Sequence, residues 1–149
     1  MSAAGNTPGL QPPAEPILIL REGPVTVIAI RDSTALLTDT AVEQLARKVG
    51  AVIDEAPKSG PEASVMIDFK QLEHVSSALL GALITLNRKA HDRSIAFALA
   101  RVEPQMLEIF RITKLNRVFT FLGPEDFAQK APETAKRLDA GSASTPAEA

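Results

Sequence analysis

Along this chain the hydrophobic period switches repeatedly between two values, and few folds accommodate such a pattern. Ile17-Leu18-Ile19-Leu20, Val25 to Ile30, Val65-Met66-Ile67-Asp68-Phe69 and Ser94 to Ala100 are short runs rich in apolar and β-branched residues. Runs of that length, bounded by turn residues, predict strands. Between the first two stands Arg21-Glu22-Gly23-Pro24, a turn signal that makes them a β-hairpin. The third is apolar almost throughout, as expected of a strand covered on both faces.

The intervening segments have the other period. Val42, Leu45, Ala46, Val49, Val52 and Ile53 recur at three- and four-residue spacing, the mark of an amphipathic helix. Asp39 stands where an N-cap is expected and Glu43 follows in the first turn, while Pro57, Gly60 and Pro61 interrupt the chain afterwards. Ser76-Ser77 opens a second helix over about Ala78 to His91. Pro104 suits the first turn of a third, carrying Met106, Leu107, Ile109, Phe110 and Thr113. Val118 to Leu122 reads as a last short strand. Gly123-Pro124 then precedes a final helix with Phe127, Ala131, Ala135 and Leu138. The order β-β-α-β-α-β-α-β-α predicts an α/β fold: one domain, a small mostly parallel sheet with an N-terminal β-hairpin, and about four helices.

Both ends lack material for a core. Residues 1–16 hold four of the eleven prolines, and the end from Asp139, DAGSASTPAEA, is small and polar. Such segments bury too little surface to offset chain entropy, so 1–16 and 139–149 are expected to be disordered tails around a folded unit at 17–138.

Composition narrows the function. With no cysteine, thiol catalysis, disulfides and Cys-ligated zinc are excluded, and two histidines leave little for a metal site or a triad. Sixteen basic against eighteen acidic side chains leave no basic footprint for nucleic acid. Trp and Tyr are absent, so aromatic stacking platforms are scarce. There is no P-loop, dinucleotide fingerprint or metal cluster, and the chain reads as a non-enzyme without cofactors. No apolar run approaches the 20 or so residues of a spanning helix, and the N-terminus lacks the pattern of a signal peptide. The expected compartment is the cytoplasm, with no membrane insertion.

Two stretches carry a resemblance. Val65 to Phe69, a short gap, and His74-Val-Ser-Ser-Ala-Leu-Leu-Gly-Ala-Leu-Ile-Thr-Leu-Asn-Arg-Lys resemble the central segment of STAS domains. This family includes the bacterial anti-sigma factor antagonists. In the family an apolar strand ends in Asp and a D-S-S-G-L-G turn leads into a helix. Val102 to Phe119 is similar to its second signature, a helix ending in T-G-L before an apolar strand. The likeness spans about 17–138. Anchored on Leu80-Gly81, the family Asp falls on Ser76, the first Ser on Ser77, the usual phospho-acceptor on Ala78 and the Gly on Leu79. T-G-L has become Thr113-Lys114-Leu115.

The resemblance implies a protein-binding regulatory module whose partner is a kinase-like anti-sigma factor. Its contact surface would comprise His74, Ser76, Ser77, Ala78, Leu80 and Ile84, with Ser77, then Ser76, the candidates for phosphorylation. The alternative within the family is a constitutive adaptor, such as the accessory subunit of an ABC-type lipid transporter.

On residue type alone, each of these positions also has a plainer reading. A serine before a helix caps it, contributing about 1 kcal/mol. Asp68 ends a buried strand and would accept hydrogen bonds from loop amides, structuring the loop. His74 reads as a solvated loop histidine, and His91 suits a helix C-terminus. Leu79, Leu80, Leu83, Ile84 and Leu86 spread round more of their helix than one buried face needs, which suits either deep burial or a contact surface.

Overall fold

Every strand expected from the apolar runs forms, and the strands line up in sequence order. The computed structural model describes residues 17–56 and 60–143. Strands β1 (Ile17–Glu22), β2 (Val25–Ile30), β3 (Ser64–Asp68), β4 (Ala96–Ala100) and β5 (Thr120–Leu122) make one five-stranded sheet ordered β1-β2-β3-β4-β5. β1 and β2 pair antiparallel as the expected hairpin, with Gly23 at φ +60 in the turn, where a side chain would be strained. All later pairs are parallel. The helices are α1 (Asp39–Glu55), α2 (Ser77–Asp92), α3 (Pro104–Ile112), α4 (Pro124–Lys130) and α5 (Pro132–Ala143).

Both faces of the sheet are covered, and strand alternation divides the side chains between them. In β2, Ile28 and Ile30 pack with residues of α1, α2 and α3, such as Leu45, Leu83 and Phe110. Val27 and Ala29 point the other way, towards Phe127, Ala135 and Leu138 of the last two helices and Ala131 between them. The first core is larger and rich in Leu, Ile and Phe. The second is thin, with Ala29, Ala98 and Ala100 on the sheet, so α4 and α5 lie close to its backbone. Phe110, Phe119 and Phe121 meet edge to face at 5.2–6.4 Å between ring centres, fixing α3 against β5.

The structure revises four boundaries. Thr38, not Asp39, caps α1: its backbone is extended and its hydroxyl accepts from Ala41 N–H at 3.0 Å. Asp39 lies inside the first turn, where its charge suits the helix dipole. β4 starts at Ala96 because Ser94 takes a left-handed conformation (φ +59) and Ile95 N–H closes onto Ala90 C=O. The last strand is similarly shorter, since Val118 ends a 3-10 turn. The expected final helix is two helices, giving five α-helices among the described residues, because Ala131 leaves helical geometry and Pro132 starts a new helix.

The chain also remains ordered beyond Leu138. Residues 139–143 continue α5, so the C-terminal tail expected from Asp139 does not begin there. Glu22 of β1 pins the start of that helix by accepting from the backbone N–H groups of Glu133 and Thr134 at 3.2 and 2.9 Å. Those hydrogen bonds, Thr134's foremost, outweigh desolvation and hold the Glu22 carboxyl below its ordinary value. The remaining tail residues, 1–16 and 144–149, lie outside the described residues.

Candidate functional site

In parallel sheets the carboxyl ends of the strands carry the loops that vary, and ligands collect there. Two features with different chemistry occupy that edge. The first is the loop from β3 into α2. Phe69 and Leu72 are buried and anchor it, Phe69 N–H bonding to Ala100 C=O at 2.9 Å. Glu73 N–H donates to the Ser33 hydroxyl at 3.0 Å, tying the loop to the turn after β2. Ser76 then caps α2 as expected: its backbone is extended and its hydroxyl accepts from Leu79 N–H at 3.0 Å.

Ser77, the first helical residue, is exposed, as are His74 and Ser76. No partner for the Ser77 side chain occurs among the described residues. Ala78, Leu80 and Ile84 are half-buried and pack against the large core. The fully buried face of α2 is Leu79, Leu83, Leu86 and Ala90. Ser77, Gly81, Thr85 and Arg88 are exposed at helical spacing, forming a solvent stripe flanked by Leu80 and Ile84. A Cβ placed on Gly81 would meet nothing within 4 Å, so that stripe is open ground. The fold thus gathers all six residues expected at a contact surface onto one loop and helix start, three exposed and three half-buried.

The second feature is an ion cluster. Asp68, at the end of β3, is buried, but loop amides are not its main partners. Lys70 N–H reaches Oδ1 at a long 3.3 Å. Arg101, just past β4, instead grips it with two bonds, Nε to Oδ1 at 2.9 Å and Nη2 to Oδ2 at 2.7 Å. Their side chains are only 7% and 3% exposed. The third arm of the guanidinium, Nη1, donates to Asp139 of α5 at 2.7 Å, and Lys70 Nζ reaches the same oxygen at 3.3 Å. Phe127 lies under the guanidinium with its ring centre 4.7 Å away.

Burial opposes the charge on Arg101, but the two carboxylates more than compensate and hold it more firmly protonated than a free arginine. Partial burial pushes Asp139 up, yet Arg101 first and Lys70 second outweigh it and keep the carboxyl below its ordinary value. Arg101 has φ +56, a left-handed geometry uncommon for a long side chain, which turns the chain out of the sheet. In the sequence Arg101 belongs to no motif, and Asp139 opens a small, polar stretch that predicts a tail. One signal was available: Asp68 and Arg101 close two strands that are neighbours in chain order, and in the parallel register Asp68 pairs with Ala100.

No group of three or more His, Asp or Glu side chains suited to a metal ion occurs among the described residues. No helix among them is long and apolar enough to cross a membrane. Lys114 adopts φ +65 at the position where the second family signature has Gly, which accounts for the family's preference there.

The comparisons agree with the geometry. A family model described as "Mlab, STAS domain" matches residues 32–123. An anti-sigma-factor antagonist (STAS) domain protein from Planctomyces limnophilus is similar in structure at 27% identity and a TM-score of 0.59, over 72% of this chain and 89% of that one. The Bacillus cell fate determinant SpoIIAA, in its phosphorylated form, is similar at 17% identity and a TM-score of 0.56, over 76% and 97%. RsbS from Moorella thermoacetica is similar at 22% identity and a TM-score of 0.56, over 84% and 98%. No curated protein matches the chain.

Proposed function

The chain belongs to the STAS domain family, and from that premise we propose that it is a non-catalytic regulatory module that docks a protein partner through the start of α2. The observation that carries this reading is the exposed pair Ser76-Ser77 beside an open helical stripe. One serine is committed to capping and the other is free on the first turn. Among the described residues, neither hydroxyl is hydrogen-bonded to a base of the kind a nucleophile needs. Asp68, the one buried carboxylate at this edge among the described residues, is already engaged by Arg101. The module therefore recognises and does not transform. Its partner is a kinase-like anti-sigma factor, by analogy with the antagonists it resembles, and its compartment is the cytoplasm.

Phosphorylation of Ser77 is the switch this geometry supports. A phosphate on the first turn would meet unpaired backbone N–H groups and the positive end of the helix dipole, so α2 would remain folded. It would add roughly −1.5 to −2 charges to the docking surface and repel the partner. The test is capture of partners from native lysate with and without ATP, together with the bait's intact mass. A partner lost with ATP, a phosphate on the Ser76-Ser77 peptide, weaker capture by Ser77→Asp and undiminished capture by Ser77→Ala are the expected results. Equal capture by wild type and both variants would remove the switch.

The second reading keeps the docking surface and drops the phosphate. It is favoured by Ala78, which stands at the aligned acceptor position and packs half-buried on the core. A stable, ATP-indifferent complex with a transporter-type ATPase would establish it.

A further inference from the structure

The side of Arg101 away from α2 opens into a cavity of about 530 Å³, between the carboxyl edge of the sheet, the start of α3 and the last two helices. That volume falls within the range that holds small organic ligands. Its walls are apolar: Val102, Pro104, Leu107, Pro124, Phe127 and Ala128. Four charged groups also line it, Lys70, Arg101, Asp139 and Glu103. One end therefore presents two cations that already hold a carboxylate, since Asp139 Oδ1 accepts from both Arg101 and Lys70.

We infer that this cavity binds a small amphipathic carboxylate, its apolar chain along the Val102–Leu107 and Phe127 walls and its head in place of Asp139 between Arg101 and Lys70. The exchange is mechanically simple. Asp139 is 52% exposed and turns into solvent without moving α5, which Glu22 pins at its other end. Arg101 stays put, because Asp68 holds it by two bonds and Phe127 supports its plane. With Asp139 turned away, Arg101 keeps its two bonds to Asp68, while its Nη1 and the Lys70 ammonium lose the carboxylate they share, so an incoming anion takes up the two bonds that Asp139 gave up; Glu103 lines the same cavity. The head site is half-exposed, between Lys70 and the buried Arg101, while the apolar walls run inward from it, so the chain of a single free amphiphile is enclosed where a bilayer surface would reach only the head.

The probe is decanoate, titrated into the full chain by calorimetry and followed through the Leu107 methyl resonances, with decan-1-ol as the neutral counterpart. Saturable decanoate binding that shifts Leu107 is expected, with weaker binding of the alcohol. Asp139→Asn removes the internal competitor and should tighten decanoate about threefold to fivefold, while Lys70→Met should weaken it by a similar factor, as for a partly exposed charge pair. Neither variant should change affinity for the alcohol. Ser77→Asp should leave decanoate binding as it is, which separates this site from the docking surface. Absence of saturable binding, equal affinity for decanoate and decan-1-ol, or indifference to both Asp139→Asn and Lys70→Met would overturn the inference. So would capture by phosphatidylglycerol vesicles without a response to monomeric decanoate.

Discussion

The start of α2 and the Asp68–Arg101–Asp139 cluster share one edge of the sheet and are built on opposite plans. The helix start is local. Ser76 caps an amide three residues away, it is exposed together with His74 and Ser77, and its hydroxyl is neutral. The cluster joins residues 33 and 38 positions apart, and its central guanidinium is almost wholly withdrawn from water. A local, exposed element tolerates chemical change, which is what a docking or modification site requires. A buried, long-range pair such as Asp68–Arg101 does not, because each charge there depends on a partner that another segment delivers, whereas the half-exposed Asp139 at its rim can be exchanged. The contrast teaches where this domain can vary and where it must be kept whole.

The sharpest way to break that contrast is Arg101→Met. It leaves Asp68 buried without its cation and should cost about 3–5 kcal/mol in urea unfolding, the range for removing one partner of a buried pair. A loss near zero would mean that the cluster is no more demanding than the surface. Ser76→Ala removes one capping bond and should cost about 1 kcal/mol by the same measurement. Asp139→Asn should cost less than about 1 kcal/mol, because that carboxylate is half-exposed and solvent screens its pair.

The same carboxyl can be probed by pH. Its folded value is depressed, so its contribution is fully present above the unfolded value and is lost as pH falls through the folded one. The wild type should therefore lose stability below about pH 4 more steeply than Asp139→Asn, in parallel urea series across that range. The smallest effect belongs to Ser77→Ala, expected within about 0.5 kcal/mol of wild type, since nothing among the described residues depends on its hydroxyl. A large loss there would mean that Ser77 is structural and would weigh against its role as a switch.

Period and punctuation made much of this molecule readable. β2, β3 and β4 announced themselves as apolar runs because both faces are covered, α1 as a stripe because only one side of it is buried, and α2 through the serines that open it, its apolar residues spreading beyond one face because Leu80 and Ile84 also pack half-buried on the core. The Ser76 cap was legible because a cap is a contact three residues long. Errors appeared where a neighbour overrode a local preference. Asp39 is a good capping residue, but the extended backbone falls on Thr38. The last stripe seemed continuous because Phe127, Ala131, Ala135 and Leu138 face one core, although Pro132 divides the helix that carries them.

What the chain determined unaided was the type and order of its elements, since hydrogen bonding and side-chain alternation within a segment depend on that segment alone. Its likeness to the STAS family rested on the same local motifs. Tertiary structure decided the partners. Asp68 shows a carboxylate at a strand end, but its cation arrives only when β4 lies beside β3. Asp139 stands in a small, polar sequence that predicts disorder, yet Glu22 and Arg101 hold its helix against the sheet. A charge can be read from one residue, whereas the fold alone brings up the opposite charge that allows it to be buried.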